Sequence, residues 1–233
     1  MRDKIPFLVV CEGLSDFEML RLTMDAAGAR LGKEFPLELL QPSQDATTGG
    51  PGLGGWSRVR AWCQRYGKKP KPLWSTMLAL SEAAGILIHI DADIAEELND
   101  LEQTFHDAGL SRKEYCRKTI AAWLGVEEAE EPTSLCYIVA TYCTETWLLA
   151  LHDPESFPSS SRNYENIQEV IPLLIDLGYA LYRDPQTGKQ TIDKIASTRD
   201  HGARFKREFQ KVIERCAEVR RLQSYLQRHC HGN

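Results

Sequence analysis

The 233-residue sequence predicts an α/β fold, with a mostly parallel, Rossmann-like sheet flanked by helices. Two observations support this fold class. Short apolar segments rich in β-branched residues alternate with amphipathic stretches that are long enough to be helices, and acidic residues directly follow two of the apolar segments. Alternation of strand and helix is typical of parallel sheets, because each parallel connection must cross back over the sheet.

Four short apolar segments are predicted to form the strands of this sheet. They are residues 4–10, 37–40, 86–90 and 136–141. The third segment, with the sequence ILIHI, is the clearest buried strand because it is uninterrupted and rich in isoleucine. We expect His89 within it to be a hydrogen-bonded core histidine rather than a ligand.

Amphipathic stretches between the strands are predicted to be helices. The first is expected to begin with Ser15 as its N-cap, and Glu18 three residues later would complete a capping box. Apolar residues then recur at helical spacing as far as Ala27. Gly85 is expected to end a helix over residues 73–84. The other predicted helices of this half of the chain cover residues 57–67, 112–123 and 144–151.

The pattern changes beyond about residue 158, where the strand signals stop. Residues 164–178 and 203–228 have the apolar spacing of amphipathic helices. The sequence therefore predicts two parts, an α/β core over residues 1–157 and a helical C-terminal extension over residues 158–233.

Composition excludes several classes of protein. Hydrophobic residues make up 42% and charged residues 26% of the chain, which is typical of a globular protein. No apolar run approaches the roughly 20 residues that a membrane helix needs, so we expect no membrane partner. Seven cysteines without a CxxC pair, and no secretion signal, indicate reduced thiols and a cytoplasmic location.

Charge is spread unevenly along the chain. The net charge of −5 argues against a protein that coats polyanions generically. However, residues 57–72 hold six basic and no acidic residues, residues 91–107 hold seven acidic and no basic residues, and residues 199–233 are net basic. These segments are either solvated helix faces or an acidic metal centre with basic surfaces around it, as a metal enzyme acting on a polyanion would need.

Acidic residues at two strand ends favour the metal centre. Glu12 follows the first strand, Asp91 and Asp93 follow the third, and Asp16 comes one helical turn later than Glu12. The carboxyl ends of parallel strands meet at one edge of a sheet, and carboxylates this close repel one another unless a cation neutralises them. Oxygen ligands favour Mg²⁺ or Mn²⁺. The alternative is that each acid caps a helix or ends a turn.

These segments resemble a known family. The sequences FLVVCEGLSD at 7–16 and ILIHIDAD at 86–93 resemble the TOPRIM domain of topoisomerases, primases, RNA-maturation nucleases and OLD-family nucleases. The segment TETWLLALHDPESF at 144–157 is similar to a helix of OLD-like and stand-alone TOPRIM proteins of bacterial defence loci, and its acid is Glu145. The segment CAEVRRLQSYL at 216–226 resembles their closing helix.

The resemblance implies a TOPRIM-like catalytic core over 1–157 that cleaves DNA or RNA, with tRNA among the candidates, using two Mg²⁺ or Mn²⁺ ions. It implies an effector of anti-phage defence that works with an ATPase supplied in trans. A homo-oligomer is compatible with the sequence. The implied metal ligands are Glu12, Asp91 and Asp93, with Asp16 and Glu145 either completing a second site or orienting its water. Either Lys189 or Lys194 would offset charge that develops on the phosphate.

A basic segment is the candidate nucleic-acid surface. It follows a glycine-rich stretch over 47–56 that is either a flexible connector or a backbone that closes over a strand. Guanidinium and ammonium groups in this segment would contact phosphates. The residues concerned are Arg58, Arg60, Arg65, Lys68, Lys69 and Lys71.

Two other functions remain open. The chain could be a non-catalytic subunit that docks nucleic acid or protein through its acidic edge or its basic tail. It could also be a phosphoryl-transfer enzyme with response-regulator-like topology and a phosphoacceptor aspartate after the third strand, which leaves Glu12-Gly13 and Glu145 unexplained. Loss of metal-dependent cleavage in Asp91→Ala or Glu12→Ala would distinguish an enzyme from a docking subunit.

Overall fold

A four-stranded parallel sheet forms the centre of the molecule. The computed structural model describes residues 2–42, 55–67, 72–126, 132–153, 163–183, 188 and 190–230. The strands of the sheet are β1 (Phe7–Val10), β2 (Leu37–Gln41), β3 (Gly85–Asp91) and β4 (Leu135–Ala140). Their order is β2-β1-β3-β4, and every neighbouring pair is parallel. The predicted α/β class with a parallel, Rossmann-like sheet is confirmed.

Helices cover both faces of this sheet, which explains why its strands are nearly continuous apolar runs. Val9 and Leu87 belong to one buried cluster and Val10 and Ile88 to the other, as the alternation of strand side chains requires. Helices α2 (Trp56–Gly67), α3 (Leu73–Ser81) and α4 (Arg112–Leu124) pack on the face of Val10. The opposite face packs against α1 (Leu14–Leu31), α5 (Thr146–Leu149), α6 (Val170–Asp176), α7 (Lys194–Arg207), α8 (Phe209–Arg215) and α9 (Ala217–Cys230).

Two predicted helix ends are wrong, and the causes are local. Helix α1 begins at Leu14 with Gly13 as its N-cap, and the Gly13 carbonyl accepts a hydrogen bond from the Phe17 N–H at 3.1 Å. Ser15 is therefore inside the first turn and forms no capping box. Helix α3 ends at Ser81, and Gly85 begins β3 instead of ending the helix.

The C-terminal part contains a strand pair that we did not predict. Strands β5 (Leu181–Arg183) and β6 (Gln190–Ile192) form an antiparallel hairpin, so the expectation that strands stop beyond residue 158 is wrong. Three-residue strands, of which β5 is exposed along its whole length, are too short to produce a recognisable apolar alternation. The helix expected over 203–228 is divided into α7, α8 and α9.

The C-terminal part packs into the same hydrophobic core as the sheet. Phe205, Val212 and Leu222 belong to one buried cluster with Phe7 and Leu87. The expected boundary between residues 157 and 158 lies outside the described residues. Within the described ranges, no helix combines the length and the apolar character that crossing a membrane requires.

Helix α9 seals the outer edge of β4 with charged side chains. The Glu218 carboxylate accepts a hydrogen bond from the Val139 N–H at 3.2 Å, and the Arg221 guanidinium donates to the Tyr137 carbonyl. Glu218 is 2% exposed and also pairs with Arg117 of α4. Side chains thus satisfy backbone groups that an edge strand would otherwise offer to another strand.

This edge contact yields a stability prediction. Glu218→Ala should lower the free energy of unfolding by about 3 kcal/mol, because it leaves the Val139 N–H unsatisfied and the guanidinium groups without their buried partner. Urea denaturation measures the loss. The control Glu214→Ala changes an exposed glutamate on α8 and should cost less than about 0.5 kcal/mol. Equal losses in the two variants would contradict the sealing role.

Candidate functional site

The candidate site begins where β1 and β3 end side by side. Glu12 lies just beyond β1, and Asp91 is the last residue of β3. A Glu12 carboxylate oxygen, Oε1, accepts a hydrogen bond from the Asp91 backbone N–H at 2.9 Å. From these two strands the chain leaves towards opposite faces of the sheet, into α1 on one side and into a 3₁₀ helix (Ala92–Glu96) on the other. Such a point is where open α/β sheets bind ligands.

Two further acids on this edge are held by a lysine. The Lys194 ammonium lies 2.6 Å from Asp16 Oδ1 and 3.2 Å from Glu145 Oε2. It also donates to the Thr144 hydroxyl at 3.0 Å, and that hydroxyl contacts Asp16 Oδ1 at 3.4 Å. Asp16, Glu145 and Lys194 are all less than 10% exposed. Three distant segments thus converge, because Asp16 is in α1, Glu145 precedes α5 and Lys194 begins α7.

The Glu12 and Asp91 carboxylates are crowded and poorly solvated. Burial, together with the nearby Asp91 charge, raises the pKa of Glu12 to about 7. Burial raises the pKa of Asp91 to about 6, although the neighbouring His89 acts in the opposite direction. Near neutral pH this pair therefore holds part of a proton or requires a positive charge beside it.

The Asp16–Lys194 pair behaves in the opposite way. Burial disfavours the charged form of Lys194, yet Glu145 and Asp16 hold its pKa well above the ordinary value. Burial likewise works against the Asp16 charge, yet Lys194 keeps the pKa of Asp16 below its usual value. Lys194 is thus a fixed positive charge and not a proton acceptor.

His89 lies directly behind Asp91. The imidazole is 0% exposed, and its Nε2 atom is 3.5 Å from Asp91 Oδ1. Burial lowers the pKa of His89, but the carboxylates of Asp91, Asp16 and Glu12 raise this pKa by more than burial lowers it. The net shift is therefore upward. The predicted burial of His89 is confirmed. Its contact with Asp91 is longer than an ordinary hydrogen bond, and neither ring nitrogen has a closer hydrogen-bond partner among the described residues.

Asp93 occupies a different environment from Asp91. It is exposed in the 3₁₀ helix, and its backbone carbonyl accepts from Arg112 Nη1 at 3.4 Å. Burial raises the pKa of the Cys116 thiol in α4, and the charge of Asp93 raises this pKa further. Asp93 therefore lies towards α4.

Four of the five expected metal ligands, Glu12, Asp16, Asp91 and Glu145, meet at one edge, but they do not surround a common point. Among the described residues, no group of three or more histidine, cysteine, aspartate or glutamate side chains has the arrangement that could hold a metal ion. The donor chemistry nevertheless fits a hard divalent cation, because the buried Asp91 Oδ1 atom has only a long 3.5 Å contact with His89 and no hydrogen bond from the described residues, and Glu12 Oε1 lies beside the same residue. Glu12 and Asp91 are the residues that would hold such an ion.

Of the two candidate lysines, Lys194 lies in the cluster, and Lys189 lies outside the described residues. Two residues that position Lys194 were not predicted from the sequence. One is Thr144, because a threonine that bridges a lysine and an aspartate has no sequence signature. Asp193 caps α7 by accepting from the Ala196 N–H at 2.9 Å, and this capping aspartate was the available signal that Lys194 begins a helix.

The predicted basic surface is only partly assembled. Arg58 and Arg65 of α2 line a cavity of about 270 Å³ together with Trp62 and Tyr66. Arg60 was expected to contact phosphates but instead pairs with Asp100 at 2.5 Å, which neutralises it. Lys68, Lys69 and Lys71 lie outside the described residues, as does most of the glycine-rich stretch. The start of α2 is tied to the acidic edge, because the Gly55 N–H donates to the Glu12 carbonyl at 2.8 Å.

The raised pKa of Glu12 predicts a pH-dependent stability. The folded, metal-free protein retains a proton on Glu12 up to a pKa of about 7, whereas the ordinary value is 4.5. The free energy of unfolding should therefore fall as pH rises between these values. Glu12→Gln keeps an oxygen acceptor without the charge, so this variant should be more stable than wild type at pH 8. Its free energy of unfolding should also decrease less than that of wild type as the pH rises.

Urea denaturation in EDTA at several pH values checks this expectation. The matched control is Glu97→Gln, which changes an exposed glutamate just beyond the 3₁₀ helix. Parallel stability profiles for wild type and Glu12→Gln would contradict the assignment of a raised pKa to Glu12.

The buried ion pair of Lys194 with Asp16 predicts that a second substitution recovers stability lost in the first. Lys194→Met should destabilise the protein by about 3–5 kcal/mol, because Asp16 and Glu145 remain buried without their counter-charge. Adding Asp16→Asn should recover part of that loss. Lys206→Met on the same helix removes an exposed pair with Asp25 and should cost less than about 1 kcal/mol. Additive losses for Lys194→Met and Asp16→Asn in denaturation experiments would contradict the coupling.

Comparison with known proteins provides no relative on which to base a function. No family model, no curated protein and no solved structure matches this chain. The function is therefore inferred from the chemistry of the carboxylate cluster and from the short motifs that form it. Those motifs lie at the ends of β1 and β3 and at the start of α5.

Proposed function

We propose that this chain is a Mg²⁺- or Mn²⁺-dependent nuclease of the TOPRIM type, which hydrolyses phosphodiester bonds in DNA or RNA. One observation carries the proposal. At the switch point of a parallel sheet, Glu12 and Asp91 crowd together with raised pKa values, and the buried Asp91 Oδ1 atom, 3.5 Å from His89 Nε2, accepts no hydrogen bond of ordinary geometry from the described residues. Carboxylates in this state favour a divalent cation.

The surrounding residues suit cleavage of a phosphodiester. A bound divalent cation would activate water and stabilise charge on the phosphate. Glu12 and Asp91 would hold that cation, and the resemblance assigns the exposed Asp93 to the same cation. The Lys194 ammonium would stabilise negative charge that develops at the phosphate, while Asp16 and Glu145 hold the lysine in position.

Positive charge beside the acidic edge suits a nucleic-acid substrate. Arg58 and Arg65 share one cavity, and the chain that begins their helix is hydrogen-bonded to the Glu12 backbone. Guanidinium groups in such a position contact phosphates of the backbone, which positions a strand without reading its sequence. A chain with net charge −5 can therefore bind a polyanion locally.

The biological setting follows from the resemblance alone. Stand-alone TOPRIM proteins of bacterial defence loci act as effectors in the cytoplasm together with an ATPase, so an ATPase in trans is the partner that we propose. An adjacent gene for an ATPase of the ABC type would support it. DNA and RNA, including tRNA, remain substrates to be compared directly.

A second candidate is a docking subunit without catalytic activity. Asp16 and Glu145 are already neutralised by Lys194 in the absence of a cation, and the described acids do not surround a metal position. In a docking subunit the acidic edge would bind a basic partner. Such a protein would bind nucleic acid or protein, but it would cleave nothing when Mg²⁺ or Mn²⁺ is added.

Cleavage assays distinguish the two candidates. Purified protein should cut at least one of single-stranded DNA, duplex DNA, tRNA or other RNA in Mg²⁺ or Mn²⁺, and EDTA should abolish this activity. Asp91→Asn should reduce the cleavage rate by at least about a hundredfold, because it removes a carboxylate that holds the cation. Glu97→Gln, an exposed acid six residues later, should retain the wild-type rate.

Unfolding measurements must accompany the assay, so that loss of activity is separated from loss of structure. Cleavage that persists in folded Asp91→Asn and Glu12→Gln would exclude this cluster as the catalytic site. Absence of any cleavage, with and without a candidate ATPase, would support the docking subunit instead.

A further inference from the structure

A cavity of about 450 Å³ opens beside the carboxylate cluster. The β5–β6 hairpin and the beginning of α7 form most of its wall, and Glu145 and Lys194 of the cluster also line it. Its volume is in the range of small-ligand sites, which is about 300–1,000 Å³. The proposed hydrolysis uses Glu145 and Lys194 but leaves the rest of this cavity without a role.

Exposed apolar side chains give the cavity its chemistry. Tyr182 of β5 is 47% exposed and Ile195 of α7 is 54% exposed, and both line it. Thr191 of β6 and Ser15 of α1 add hydroxyl groups to the lining. An aromatic ring and an aliphatic chain left in water next to buried charges suit a flat, partly apolar ligand that also forms hydrogen bonds.

We propose that this cavity binds an unpaired nucleobase of the strand being cut, with the base stacked on the ring of Tyr182. The inference rests on the proposed function, and it narrows the substrate to single-stranded nucleic acid or an unpaired segment. The cavity shares Glu145 and Lys194 with the cluster, so a phosphodiester cut at the cluster places a neighbouring base at the mouth of the cavity. A base inside a duplex has both faces covered by its neighbours, whereas an unpaired base offers a free face to an aromatic side chain.

A second copy of the chain is a less suitable occupant. Among the described residues of the hairpin and the start of α7, the large exposed apolar side chains are Leu181, Tyr182 and Ile195. These three side chains provide far less than the roughly 800 Å² per partner that a stable protein–protein interface buries. The position of the cavity against the cluster also favours a ligand that continues from the cavity into the cluster.

Binding experiments in Ca²⁺ test the inference separately from cleavage. Fluorescently labelled oligonucleotides of one sequence are compared as single strands and as duplexes, with wild-type protein. The single strand should bind more tightly. Tyr182→Ala should weaken its binding by about fivefold to a hundredfold, as expected for loss of one stacked base, and Tyr182→Phe should retain wild-type affinity. Leu80→Ala, which changes an 82% exposed leucine on α3, is the matched control and should have no effect.

An abasic nucleotide identifies the stacked base directly. The abasic nucleotide is placed at each position of the oligonucleotide in turn. At one of these positions it should weaken binding to the wild-type protein. With that abasic strand, Tyr182→Ala should cause no further loss, because the ring has no base to contact. Additive losses at every position would show that Tyr182 acts elsewhere and would overturn the inference.

The remaining outcomes separate the inference from the proposed function. Equal affinity for single strand and duplex, with no effect of Tyr182→Ala, overturns the base cavity and leaves the nuclease proposal standing. A change in sedimentation on Tyr182→Ala, without a change in binding, identifies a second copy as the occupant and also overturns it. The protein could also bind single strands in a way that depends on Tyr182 and yet cleave nothing. That result supports the base cavity and overturns the nuclease proposal.

Discussion

Mutual repulsion among carboxylates at one edge of the sheet is the constraint around which this molecule is arranged. Glu12, Asp16, Asp91 and Glu145 meet there, and the packed helices bury Asp16 and Glu145 and leave Glu12 and Asp91 half-buried. Burial makes each charge costly, and each neighbour increases that cost. Lys194 relieves Asp16 and Glu145. His89 relieves Asp91 in part. The raised pKa values of Glu12 and Asp91 indicate that protons relieve the rest, or a cation that displaces those protons.

The C-terminal part of the chain completes this arrangement. It contributes Lys194 at the start of α7, and the preceding hairpin provides the wall that carries Tyr182. Through α9 it also satisfies the edge of β4 by way of Glu218 and Arg221. These contacts join the extension to the α/β core through one hydrophobic cluster and two ion-pair networks. The extension is therefore part of the candidate site.

The central strands and the meeting of acids at their ends could be predicted from sequence, because fully buried parallel strands are continuous apolar runs and their carboxyl ends share one edge. Contacts between distant residues could not. The space at Gly85 is limited by Tyr225, whose hydroxyl would lie 2.2 Å from an added Cβ, so this glycine is required by packing and not by a helix end. Arg60 pairs with Asp100, and the exposed three-residue strands of the hairpin leave no periodic pattern.

Calorimetric titration of Mn²⁺ into the metal-free protein at pH 6.5, in buffers with different ionisation enthalpies, measures whether a cation replaces the protons on Glu12 and Asp91. A cation that replaces the protons on Glu12 and Asp91 must release them, because their pKa values are about 7 and about 6. The account predicts Mn²⁺ binding with net proton release, and loss of both in a folded variant carrying Glu12→Gln and Asp91→Asn. Absence of binding, or binding that this double variant leaves unchanged, would contradict it.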